Sequence, residues 1–189
     1  SAASDVYKRQ IYDFAGKVTS LPLYDRLILT SELISMIKQF AKNYVENNVE
    51  QSKIDKAVHD LKIKIIESIK KEKHDNILST ILELECNEIL GEEIETEFME
   101  ALAKMILERI DLLNQLPPKE CLNVIANIIN CSKLYSSELI NYASEIANHV
   151  KSKLEMLNID TFEEVISAEE IISYPWTHIL PKEIISNIK

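Results

Sequence analysis

Apolar residues recur along most of this chain at spacings of three and four, the period of a helix with one buried face. Leu33, Met36, Ile37, Phe40 and Ala41 form the first stripe, and Thr30 or Ser31 is placed to cap its start. Ile54, Ala57, Val58, Leu61, Ile65 and Ile69 form the second. The stretch from Leu61 to Ile65 also alternates like a strand, but the longer period and the lack of turn residues favour a helix. Ile77, Leu78, Ile81, Leu82 and Leu84 mark a third helix, with Gly91 as its left-handed cap. A fourth carries Phe98, Ala101, Leu102, Met105, Ile106 and Ile110. Leu116-Pro117-Pro118 breaks it and starts a fifth, because proline is tolerated in a first helical turn. The fifth holds Leu122, Ile125, Ala126, Ile128 and Ile129. The sixth starts near Ser136 or Ser137 and holds Leu139, Ile140, Ala143, Ile146, Ala147 and Val150. Residues 160–173 predict a seventh, interrupted by Tyr174-Pro175-Trp176, and Leu180-Pro181 opens a last short one.

These helices align as pairs. Leu33, Leu78 and Leu122 are equivalent, as are Met36, Ile81 and Ile125, and Ile37, Leu82 and Ala126. In the second helix of each pair, Ile54 matches Phe98 and Leu139, Val58 matches Leu102 and Ala143, and Leu61 matches Met105 and Ile146. A period of roughly 41–45 residues with two helices per unit is the mark of an α-solenoid rather than an irregular bundle. The expected fold is therefore all-α, a solenoid of antiparallel helix pairs with about three and a half repeats. The expected units are residues 30–73, 74–115 and 116–157, with 158–189 a partial or capping unit. Residues 11–29 would be an N-terminal extension. The opening string SAASDVYKRQ, residues 1–10, has no periodic apolar face and resembles translated adaptor sequence, so a non-native leader is expected there.

Composition narrows the chemistry. The 189 residues include only 2 glycines and 5 prolines, where average usage gives about 13 and about 9. Phosphate loops and dinucleotide fingerprints need clustered glycines and are excluded, as is a β-sandwich with a turn every few residues. The formal net charge is −10. It is uneven: residues 1–80 hold 13 Lys and Arg against 11 Asp and Glu, and residues 81–189 hold 8 against 20. Such a chain is a poor general binder of nucleic acid and suits a basic partner. Cys86, Cys121 and Cys131 form no CxxC pair, and their odd count points to free thiols in a reducing compartment rather than a disulfide framework. No apolar run reaches the roughly 18 residues of a membrane span.

The phrase Leu116-Pro117-Pro118-Lys119-Glu120, running into Cys121-Leu122-Asn123-Val124-Ile125-Ala126, returns shortened as Leu180-Pro181-Lys182-Glu183-Ile184-Ile185-Ser186-Asn187-Ile188. It resembles the start of a unit in the heptatricopeptide and octotricopeptide repeat families, organellar helical-pair repeats often found in chains ending in a RAP domain. Leu116 to Ala126 fits the leucine-proline opening and the first helix, and Ser137 to Val150 fits the second. The resemblance covers one unit of about 40 residues well. Upstream, Thr30-Ser31-Glu32-Leu33 and Lys73-His74-Asp75 stand where the proline turn should be, and no RAP domain is present. The resemblance implies work with RNA in mitochondria or plastids, as a processing factor or as an added subunit of an organellar ribosome. It transfers no base-reading residue.

Candidate sites are few. His59, His74, His149 and His178 show no i, i+4 pair, so no catalytic or metal role is expected for them, and no cofactor. The acidic run Glu83, Glu85, Glu88, Glu92, Glu93, Glu95, Glu97 and Glu100 reads as a solvated face or as a docking surface for a basic protein. Glu92, Glu93, Glu95 and Glu97, with the single tryptophan Trp176, are the candidate protein-docking residues. The basic run Lys62, Lys64, Lys70, Lys71 and Lys73 is the candidate strip for RNA-backbone contacts, with Lys62, Lys70 and Lys73 expected along one helical face. The expectation is a non-enzymatic scaffold subunit of a large mitochondrial assembly, a lineage-specific mitochondrial ribosomal protein first of all. Its partners would be other proteins of the complex and ribosomal RNA, with no small-molecule substrate. A stand-alone organellar RNA-binding repeat factor and a helical accessory subunit of a respiratory-type membrane complex are the alternatives.

Overall fold

The computed structural model describes residues 2–45, 47–85 and 92–156. The predicted elements of residues 158–189, with Trp176 and His178, lie outside the described residues, as do Cys86, Glu88 and Gly91. The fold class is all-α, as the periodicity predicts. The helices are α1 (Ala2–Val18), α2 (Leu23–Tyr44), α3 (Asn48–Lys70), α4 (His74–Glu83), α5 (Thr96–Glu108), a 3-10 helix (Ile110–Gln115), α6 (Pro118–Asn130) and α7 (Ser137–Met156). The chain divides into two units, Ser1–Glu72 and Lys73–Lys189.

In the first unit α1 packs on α3, α2 packs on α3, and α1 touches α2. α1 contributes Ile11, Ala15 and Val18 to the core, and within residues 2–10, where the helix already runs, Tyr7 is half-buried with its ring 4.3 Å from that of Phe40. Tyr12 Oη donates to Asp60 Oδ2 at 2.8 Å, tying α1 to α3. Asn47 caps α3 by accepting from the Glu50 amide at 2.9 Å. The interior of α3 is Ile54, Ala57, Val58, Leu61, Ile65 and Ile69, the stripe read from its period.

α2 departs from expectation. It starts at Leu23, directly after Pro22, because proline has no amide to lose at a helix entry. Thr30 and Ser31 are therefore interior residues, both fully buried, and cap nothing. Residues 23–29 likewise belong to this helix and not to an extension. The buried face of α2 runs Leu23, Leu27, Ile34, Ile37, Ala41. The predicted stripe had merged two faces. Met36 is 68% exposed, and Leu33 and Phe40 are half-buried.

In the second unit α4 packs on α5 and α6 on α7, while α4 also packs on α6 and α5 on α7. The first helices of the two pairs thus lie together, and so do the second helices. The aligned positions are buried alike: Leu78 and Leu122, Ile81 and Ile125, Phe98 and Leu139, Leu102 and Ala143, Met105 and Ile146. Pro117 and Pro118 open α6 as the sequence suggests. Ser136 Oγ accepts from the Leu139 amide at 3.0 Å and starts α7. α4 is shorter than expected, ending at Glu83 with Leu84 extended. Its end is held from outside. Asn127 Nδ2 on α6 donates to Ile81 O at 2.8 Å and Leu84 O at 3.1 Å. Asn127→Ala should cost about 2 kcal/mol, because partly buried helix-end carbonyls lose their donor. Asn127→Asp should cost at least as much at neutral pH, since a carboxylate cannot donate. Urea unfolding of the two variants checks this.

The connections after α4 and after α6 meet. Ile94 N donates to Cys131 O at 2.7 Å, and Lys133 N donates to Ile94 O at 3.0 Å. This is an isolated parallel bridge between helices rather than a strand pair. Thr96 Oγ1 accepts from the Leu134 amide at 3.0 Å, and Ser132 Oγ donates to Leu134 O at 2.7 Å. Cys131 is fully buried and disulfide-bonded, which corrects the expectation of a free thiol there.

Candidate functional site

The basic run divides between two places. α3 ends at Lys70, Lys71 is its C-cap, and Lys73 is the N-cap of α4 in the second unit. The expected face of Lys62, Lys70 and Lys73 is therefore corrected: Lys73 is not on α3. Lys62 is half-buried and engaged, and Lys70 is exposed at the helix end. Lys64 and Lys71, seven residues apart and both exposed, do share a site. They line a cleft of about 440 Å³ in the first unit, with Thr19, Glu67, Ser68 and Glu72.

At the base of this cleft lies Arg26, which sequence reasoning did not single out. Only 5% of it is exposed. Its placement follows from the early start of α2, which puts residue 26 one turn inside the helix, facing α3. Arg26 Nη1 donates to Ser68 Oγ at 3.2 Å, and Nη2 donates to Leu21 O at 2.9 Å and to Glu72 Oε1 at 2.8 Å. Ser68 Oγ in turn donates to Ile65 O at 2.6 Å. The Nε–H is buried without an acceptor. An unmet buried donor costs about 1–3 kcal/mol and is uncommon in native structures. Each side-chain hydrogen bond of Arg26 is with a residue 5, 42 or 46 positions away, so only its charge, the single one on the buried face of α2, could have signalled it.

The acidic docking residues also separate. Glu93 and Glu97 are exposed, as are Glu83 and Glu85. Glu92 is half-buried, and its Oε2 accepts from the Glu85 amide at 3.1 Å. Glu95 is corrected: it is 3% exposed and its carboxylate takes Lys133 Nζ at 2.6 Å. It belongs to the bridge between the two connections and offers nothing to a partner. Glu100 accepts from Ser136 Oγ at 2.6 Å. Trp176, the remaining docking candidate, lies outside the described residues.

The other reactive side chains are accounted for locally. His74 Nε2 stands 3.4 Å from Glu108 Oε2, and His149 Nε2 is 2.9 Å from Asn114 Oδ1. Neighbouring Arg109, held 3.1 Å from Asp111, keeps that carboxyl below its usual range. Cys121 is buried and free, donating to Leu113 O at 3.3 Å. Burial pushes its thiol up, which disfavours the reactive thiolate. Lys153 Nζ donates to Leu113 O and Leu116 O, closing the end of the 3-10 helix. Among the described residues, no three of His, Cys, Asp and Glu gather where a metal ion could be held. Among them, too, no helix is long and apolar enough to cross a membrane.

Among the described residues, a run of apolar side chains reaches the surface along α2. Leu29, Met36 and Tyr44 are exposed on α2, and Leu33 and Phe40 lie between them. Their spacings of 4, 3, 4 and 4 make a continuous ridge along α2, beside its buried face, and the Phe40 ring in it lies 4.3 Å from that of Tyr7 on α1. Phe40 and Tyr44 stack with ring centroids 4.9 Å apart.

No protein-family model matches the chain, and neither a curated protein nor a solved structure matches it.

Proposed function

We propose that this chain is a non-enzymatic helical scaffold subunit of a larger assembly, built as a solenoid of helix pairs. The observation that carries the reading is the α2 ridge of Leu29, Leu33, Met36, Phe40 and Tyr44. A helix that spends one face on its own core and exposes a second apolar face suits docking against another protein's helix. The like burial of aligned positions in the second unit supports the repeat reading. An assembly in mitochondria, the mitochondrial ribosome first, is the host that the resemblance of Leu116 to Ala126 implies.

The test is purification of the tagged protein from its source organism, with and without RNase, followed by sedimentation and mass spectrometry. The expected result is co-migration with proteins of one large complex. Met36→Glu combined with Leu29→Glu should leave the helical signal intact, since both positions are exposed, and should release the chain from that complex. Release by RNase in addition would mark a ribonucleoprotein. Migration as a free protein, or full retention of the double variant, overturns the docking role of the ridge.

A further inference from the structure

The Arg26 cleft has a donor arrangement that its own residues leave half used. A guanidinium presents planar edges, and the edge formed by Nε and Nη2 matches two oxygens of one oxyanion. Here Nη2 donates to Leu21 O at 2.9 Å and to Glu72 Oε1 at 2.8 Å, while the neighbouring Nε is buried and has no acceptor. Glu72 sits past the end of α3, with its side chain 19% exposed. It can swing outward without unwinding the helix. The two remaining Arg26 contacts, to Ser68 and Leu21, hold the guanidinium in place as it does so. Lys64 and Lys71 line the same cleft, about 10.5 Å apart along the helix axis at 1.5 Å per residue.

We propose that this cleft binds one phosphoryl oxyanion, either free phosphate or the terminal phosphate of a small molecule. Two of its oxygens accept from Arg26 Nε and Nη2, Glu72 moves aside, and Lys64 and Lys71 close over the remaining charge. The charge count favours an anion of this kind. Arg26, Lys64 and Lys71 oppose Glu67 and Glu72, which leaves one positive charge even before Glu72 withdraws. The cleft volume, about 440 Å³, is that of a small-molecule site. No aromatic residue lines it, so it offers nothing to stack on a base. Recognition therefore falls on the phosphoryl group. This site stands apart from the α2 ridge and does not depend on the scaffold reading.

The experiment titrates the full chain with inorganic phosphate at constant ionic strength and follows the backbone amides by NMR. Saturable shifts confined to residues 19–26 and 64–72 are expected. Lys64→Gln with Lys71→Gln, both at exposed positions, should weaken binding about tenfold or more, as loss of charge-assisted bonds implies. Glu72→Gln should strengthen it, because the competing carboxylate charge is gone. Small shifts at lysines throughout the chain, unchanged in the double variant, would overturn the site. So would tightening that fails to appear in Glu72→Gln. A uridylate oligomer serves as a second probe. Displacement of phosphate from the cleft by the oligomer places the same phosphoryl chemistry on a nucleic acid strand. Oligomer binding elsewhere, with no phosphate response at Arg26, sinks the proposal.

Discussion

Phe98→Ala should destabilise the second unit by about 3–5 kcal/mol. Phe98 is fully buried in the first turn of α5, and α5 packs against α4, α7 and the 3-10 helix. Removing the ring forfeits its transfer from water and leaves a void in this packing. Those elements are pinned by hydrogen bonds, Ser136 to Glu100 among them, so the void cannot readily collapse. Guanidinium unfolding, with amide exchange of α5 and α7 followed in parallel, measures the loss. A change below about 1 kcal/mol would mean that the ring is not the keystone its burial suggests.

Lys133→Met should cost about 3 kcal/mol. The substitution keeps most of the aliphatic stem and deletes only the ammonium that meets Glu95 at 2.6 Å. Glu95 is 3% exposed, so its carboxylate would stay dehydrated without that cation. The loss should persist in high salt, because a buried pair is weakly screened. Adding Glu95→Gln should recover much of it, since a neutral amide no longer needs the cation. Equal stability of the single variant and the parent, within about 0.5 kcal/mol, would show that the pair contributes nothing net.

Local signals made the second unit readable. Pro117, Pro118 and Ser136 punctuate the chain where they stand, and α5 to α7 bury most of the face their period marks, with Ala101 and Ile140 half-buried and Ile110 in the 3-10 helix beyond α5. α2 misled because it carries two apolar faces. Met36 and Ile37 are neighbours in sequence and point to different sides. Once Pro22 is taken as the helix entry, Thr30 and Ser31 fall in its middle. Glu95 could not be told from Glu93 or Glu97 by sequence, because its partner Lys133 lies 38 residues away. Arg26 was hidden in the same manner, its meaning supplied by Ser68 and Glu72 across the first unit. The pattern of burial is written in local periods; the polar contacts that distinguish one charge from another are written in the tertiary structure.

The bridge from Ile94 to residues 131–133 has a kinetic consequence. Stacked helix pairs ordinarily contact only their neighbours and can come apart one at a time, like beads fraying from an end. Here the connection of one pair is tied by backbone to the connection of the next. Closing that tie spans nearly forty residues, so it is a late and slow event in folding. Once made, it couples the opening of α4 and α5 to that of α6 and α7, so these four helices should exchange their amides as one cooperative block.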